Sequence, residues 1–174
     1  MSFLNNRDGN LSLFRVGIAI AFLGAAIGVG GFVLVQVDQA QRRSPFYIDP
    51  YPGAVERFTQ GVSETEQRVV YEVGGTDADT VAEYYQRELD DHLGSDRSNI
   101  NRERCERVPR TGEFSDYRPG DGTVPFLHRC AFDNSTFNAT QYTIVTIHPG
   151  IRNDATGTDD TGLVLIEYEQ HWAR

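Results

Sequence analysis

Val16–Val37, VGIAIAFLGAAIGVGGFVLVQV, runs for 22 residues without a charged side chain. At a rise of 1.5 Å per residue a helix carries that stretch about 33 Å, enough to cross the hydrocarbon core of a bilayer. Gly17, Ala21, Gly24, Gly28 and Gly31 recur within it at steps of four, three, four and three. That spacing draws one stripe along a helix. Small residues in such a stripe let another helix approach closely, which is how membrane helices associate. Nine of the 22 residues are Gly or Ala, so part of the periodicity is compositional; even so, four of the five glycines fall on the stripe and only Gly30 lies off it. The bulk of Ile18, Ile20, Phe22, Leu23, Ile27, Val29 and Phe32 is placed elsewhere on the helix.

A removable signal peptide is the competing reading. Its apolar region is normally about 7–15 residues long and ends at a small-x-small cleavage pattern. Here the span is longer, and Asp38-Gln39-Ala40 puts an aspartate at the critical place. No cysteine follows to support lipoprotein processing, so an uncleaved anchor is expected. Arg7 and Arg15 before the span nearly balance Arg42 and Arg43 after it, and the positive-inside rule barely separates the two orientations. The two cysteines, Cys105 and Cys130, both lie in the polar part. Exported domains pair such residues, whereas cytosolic ones keep them reduced. A Cys105–Cys130 bridge would stabilise by about 3 kcal/mol through loop closure; two separate buried thiols are the alternative. The combined expectation is a single-pass protein of the inner (cytoplasmic) membrane with its domain on the extracytoplasmic, periplasmic side.

Residues 38–174 make one ordinary domain of 137 residues, with 14 basic and 24 acidic side chains and a net charge of −10. Such a surface repels nucleic acid and anionic lipid headgroups. All 16 basic residues are arginine, which reads as compositional bias rather than a binding signal. Asn134-Ser135-Thr136 and Asn138-Ala139-Thr140 fit the glycosylation sequon, which only a eukaryotic secretory route would use.

Ser44–Gly53 carries Pro45, Pro50 and Pro52 among Phe46, Tyr47 and Tyr51. This reads as an extended stalk, its aromatics lying at the headgroup level, against the domain or against a neighbouring subunit. Val55–Gln60 reads as a short strand, and Gln67–Val73 as a strand with Val69, Tyr71 and Val73 on one face. After Gly74-Gly75, Thr76 or Asp77 can cap a helix that runs to about Leu93 and stops at Gly94. Its apolar face would hold Val81, Tyr84 or Tyr85, Leu89 and Leu93. Ser95–Arg104, Arg110–Thr123 and Pro149–Thr161 read as loops. Arg104–Val108, Val124–Phe132, Thr140–His148 and Gly162–Gln170 read as strands. Strands joined this closely usually pair antiparallel, with the helix on one face. The expected class is therefore α+β: one N-terminal transmembrane helix, then a small domain with one helix on a mainly antiparallel sheet of four to five strands. Its parts would be a tail (1–15), the span (16–37), the stalk (38–53) and the soluble domain (54–174).

The chemistry-bearing residues form no familiar catalytic pattern. His92, His128, His148 and His171 lack the spacing of a zinc pair, and no Cys-x-x-Cys occurs. His128-Arg129-Cys130 could offer two donors on one strand face, but a third would have to come from elsewhere. Glu167 and Glu169 share a face of the last strand beside His171. Because Val164, Ile166 and Tyr168 take the other face, the glutamates are expected to meet solvent or a partner. There is no Gly-x-Ser-x-Gly elbow and no Walker loop. Neither catalysis, nor a metal, nor a cofactor is expected.

Tyr51-Pro52-Gly53-Ala54, then Thr76-Asp77-Ala78-Asp79 leading into Val81-Ala82-Glu83-Tyr84-Tyr85, resembles a pattern in small membrane-anchored proteins of filamentous and phototrophic Chloroflexi. The likeness covers residues 45–93; the Gly-Trp usual after that helix is replaced by Gly94-Ser95. The resemblance implies no catalytic residues. It implies an accessory subunit of an energy-converting membrane complex, such as alternative complex III or a reaction-centre assembly. The functional expectation is a non-catalytic subunit whose partners are other membrane-protein subunits and the lipid bilayer, with no nucleic acid. Two alternatives remain: self-association through the stripe, and an anchored module that binds a small ligand or peptide in a pocket lined by Tyr84, Tyr85 and Phe132.

Overall fold

A computed structural model describes residues 13–93, 105–136 and 139–173. It divides after Gln41 into two units. The first contains α1, Leu13–Gln41, a helix of 29 residues. It overruns the charge-free span at both ends because Asp38, Gln39 and Gln41 are tolerated in a helix, whereas Ser44-Pro45 is not: the residue before proline is driven out of the α region. From Ile20 through Val37 every residue is exposed. α1 is long and apolar enough to cross a membrane.

The second unit begins at Arg42 and is an α+β domain. Its strands are β1 (Val55–Ser63), β2 (Glu66–Gly74), β3 (Glu106–Val108), β4 (Leu127–Asp133), β5 (Gln141–Pro149), β6 (Arg152–Asn153), β7 (Thr158–Asp159) and β8 (Leu163–Trp172); α2 (Ala78–Leu93) follows β2. Six strands form one sheet in the order β1-β2-β8-β5-β4-β3, with every neighbour antiparallel. The count exceeds the expected four to five because both weak candidates at the ends of the sheet are real edge strands. β1 is exposed along its whole length and is held by its ladder to β2. β3 has three residues, and its Arg107 stacks over Phe126 at 4.1 Å. β4 starts at Leu127 rather than Val124, because Pro125 cannot donate to a ladder and its carbonyl instead accepts from Phe114 N at 2.8 Å.

Asp77 is the cap of α2: its Oδ1 accepts from Thr80 N at 2.8 Å. Val81, Tyr85 and Leu89 are fully buried against the sheet, with Ala78 and Ala82 beside them. Opposite them stand the core-facing alternations of β4, β5 and β8: Cys130 and Phe132, Val145 and Ile147, Val164, Ile166 and Tyr168. The Leu93 side chain, the stop at Gly94, the 95–104 loop and Asn138 lie outside the described residues.

Two of the expected loops pack on one another. β6 and β7 form a small hairpin inside 149–161, and Asp154 N donates to Gly120 O at 2.8 Å. Gly120 (φ 92°) and Gly122 (φ 82°) hold left-handed backbone there. A Cβ on either would run into Asp154 or Asn153, so only glycine permits this contact.

Candidate functional site

Two features of the chain are candidate sites, one in each unit. On α1, the stripe residues step by 100° per residue, which places Gly17, Ala21, Gly24, Gly28 and Gly31 within an arc of about 80° and Gly30 on the far side. All five are exposed, and a Cβ added at Gly17, Gly24, Gly28 or Gly31 would meet nothing within 4 Å. Exposed Ile20, Ile27 and Phe32 border that arc. In the first unit nothing covers it among the described residues.

In the second unit, the segment read as a stalk is a strap across the inner face of the sheet. Ile48 is 6 % exposed and joins the core, with Phe46 and Tyr51 packed on it, whereas Tyr47 is 72 % exposed. The strap has no strand ladder, so its backbone groups need partners from side chains. Three polar residues at core-facing positions supply them. Gln141 Nε2 donates to Ser44 O at 2.9 Å; Thr143 Oγ1 and Gln170 Nε2 donate to Phe46 O at 3.0 and 2.8 Å.

A tyrosine relay completes the strap. Tyr51 N donates to Tyr85 Oη at 3.0 Å, Tyr85 and Tyr168 hydroxyls lie 2.8 Å apart, and Tyr168 Oη donates to Asp49 O at 3.2 Å. Since Tyr168 gives its proton to Asp49, Tyr85 must be the donor between the two phenols. Burial pushes both phenol pKa values up, which keeps both protons in place.

Of the three side chains expected to line a pocket, Tyr85 and Phe132 belong to the packed core, and Phe132 also borders an open cleft beside α2. Tyr85 and Phe132 are 0 % and 1 % exposed. Tyr84 stacks edge-on against Tyr51 at 5.3 Å and Tyr85 at 5.1 Å. Close packing of aromatic rings has filled the space between helix and sheet. Open clefts flank the strap instead. One of 370 Å³ lies towards β1 and includes Tyr47, Glu56 and Tyr71; another of 210 Å³ lies towards α2 and includes Phe46, Glu88 and His92.

Cys105 and Cys130 are joined in a disulfide, with Cα atoms 4.1 Å apart, which fastens β4 to the start of β3. Cys130 is therefore tied up in the bridge, and His128 Nε2 lies 2.8 Å from Asp79 Oδ1 in the first turn of α2. On the outer face, Glu167 is held by Arg68 through Nε and Nη2, and Glu169 lies beside His171, 3.1 Å from its Nε2. Sequence spacing could not reveal that Glu66 joins this pair. The β2–β8 register sets Glu66 opposite His171, and Glu66, Glu169 and His171 each bring a donor atom within 4.8 Å of the others.

Comparison with protein-family models, with curated protein sequences and with solved structures returns no significant match.

Proposed function

We propose that the chain is a non-catalytic accessory subunit of a multi-subunit membrane assembly, anchored by α1 and docked through its small-residue stripe. The observation that carries this reading is the stripe itself: five small residues on one arc of an exposed apolar helix, with open space above each glycine. Lipid fills a groove of that shape less well than a second helix whose backbone can approach closely. The disulfide supports an extracytoplasmic domain, because oxidising compartments are where such bonds persist. The class of assembly implied by the Tyr-Pro-Gly-Ala resemblance is an energy-converting, electron-transporting complex.

Extraction of the native protein in mild detergent tests the reading. A stable larger assembly with defined co-purifying subunits is expected. Gly24→Ile combined with Gly28→Ile should release the chain from it while leaving the domain folded. A purely monomeric extract, or an assembly indifferent to the double substitution, would refute docking by the stripe. A homodimer broken by the same substitutions would replace foreign subunits with a second copy.

A further inference from the structure

We propose that Glu66, Glu169 and His171 form a binding site for a divalent transition-metal ion of the zinc class on the outer face of the sheet. The alternation of β8 turns Glu169 and His171 to the same side two residues apart, and the antiparallel register places Glu66 directly opposite His171. All three backbones belong to interior ladders of a six-stranded sheet, so the donors sit on rigid elements rather than on a loop. His171 Nε2 is 3.1 Å from Glu169 Oε1 and 3.9 Å from Glu66 Oε1. In a tetrahedral site with metal–donor bonds of about 2.0–2.1 Å, neighbouring donors stand about 3.3 Å apart. The observed separations bracket that value, and small side-chain rotations close the site around an ion.

Charge favours occupancy as much as geometry does. Arg68, the register neighbour of Glu169, is committed to Glu167 through two nitrogens. Among the described residues, His171 is then the sole ion-pair partner of both Glu66 and Glu169. Two carboxylates thus face one imidazole, an excess of negative charge that a dication neutralises. The side chains are 28 %, 46 % and 23 % exposed for Glu66, Glu169 and His171. An ion can therefore enter, and water can take the remaining coordination position. Tyr142 stacks on the His171 ring with centroids 4.6 Å apart and planes 25° apart, which limits the imidazole's rotation before any ion arrives.

The donor set selects the ion. Calcium and magnesium take oxygen ligands, and an imidazole nitrogen disfavours them; one nitrogen with two carboxylate oxygens suits zinc and its first-row neighbours. The inference is independent of how α1 docks.

The test is titration of the full chain in detergent, stripped of metal with a chelator, with zinc alone as the probe. Calorimetry should show one saturable site, which calcium in excess does not compete away. His171→Ala and Glu66→Gln should each weaken zinc binding by about tenfold or more. Glu66→Gln keeps the side chain's shape and so separates ligation from folding, checked by circular dichroism. His148→Ala is the control: His148 Nδ1 lies 2.9 Å from Pro149 O, outside the cluster, and binding should be unchanged. No saturable binding at millimolar zinc, full binding in both cluster variants, or displacement by calcium would overturn the assignment.

Discussion

Tyr168→Phe is the most informative single change to the domain, because one hydroxyl closes the relay between strap and core. Its removal leaves the Tyr85 proton without its acceptor and the Asp49 carbonyl without its donor, while the ring, 2 % exposed, keeps its packing. The Tyr85 hydroxyl is buried, and leaving such a group unsatisfied costs about 1–3 kcal/mol. Asp49 is exposed and its carbonyl can turn to water, so the Tyr85 term dominates and the change should destabilise by about 1–3 kcal/mol. That is a large share of the roughly 5–15 kcal/mol that holds an ordinary domain together. Tyr85→Phe breaks the same relay one link earlier, stranding the Tyr51 amide. Neither hydroxyl is stranded when both are absent, so Tyr85→Phe with Tyr168→Phe should cost less than the sum of the single changes, by about 1–2 kcal/mol. Urea unfolding of the full chain in detergent, followed by the fluorescence of the single tryptophan, Trp172, measures the cycle. Hydrogen exchange at the Tyr51 amide reports on the strap alone, and should quicken by about 30-fold in Tyr85→Phe if the strap lifts before the sheet unfolds. Strict additivity, or a Tyr168→Phe cost under about 0.5 kcal/mol, would refute the relay as a structural tie.

Replacing both Cys105 and Cys130 by Ala opens a covalent loop spanning 25 residues of sequence; chain entropy sets the loss at about 3.5 kcal/mol, measurable as a shifted urea midpoint. Acid titration should expose the cap of α2. Hydrogen bonds from the Thr80 backbone and hydroxyl hold the Asp77 carboxyl below its ordinary value. Its stabilising contribution is therefore complete above pH about 4 and is lost as pH falls through the lowered value. Asp77→Asn keeps the cap's acceptor and should remove that part of the acid dependence, read by circular dichroism between pH 5 and pH 2. An unchanged acid profile would show that the cap does not contribute.

Local periodicity made much of the fold legible. The alternation of Val164, Ile166 and Tyr168 against Glu167 and Glu169 assigned the faces of β8 correctly, since a strand's side chains have a strict period of two. The spacing of Val81, Tyr84 or Tyr85, and Leu89, after Thr76-Asp77, located α2; the structure selected Tyr85 for the buried face and Asp77 for the cap. The strap was harder, because prolines and aromatics describe an extended chain without saying what it lies on. Its signal was indirect: Gln141, Thr143 and Gln170 are polar residues at core-facing positions of otherwise apolar strands. They are there because a buried segment without a ladder still needs hydrogen-bond donors.

Sequence by itself determined the elements whose causes are local: the apolar span and its stripe, the helix with its cap, the alternating strands, and the single pair of cysteines. Only the tertiary structure decided which strands are neighbours, that a would-be stalk lines the core, that Tyr85 fills the space between helix and sheet, and that Glu66 meets Glu169 and His171. Each of these depends on how segments up to 124 residues apart meet. A one-residue slip of β2 against β8 would turn Glu66 away from His171 without changing any local pattern.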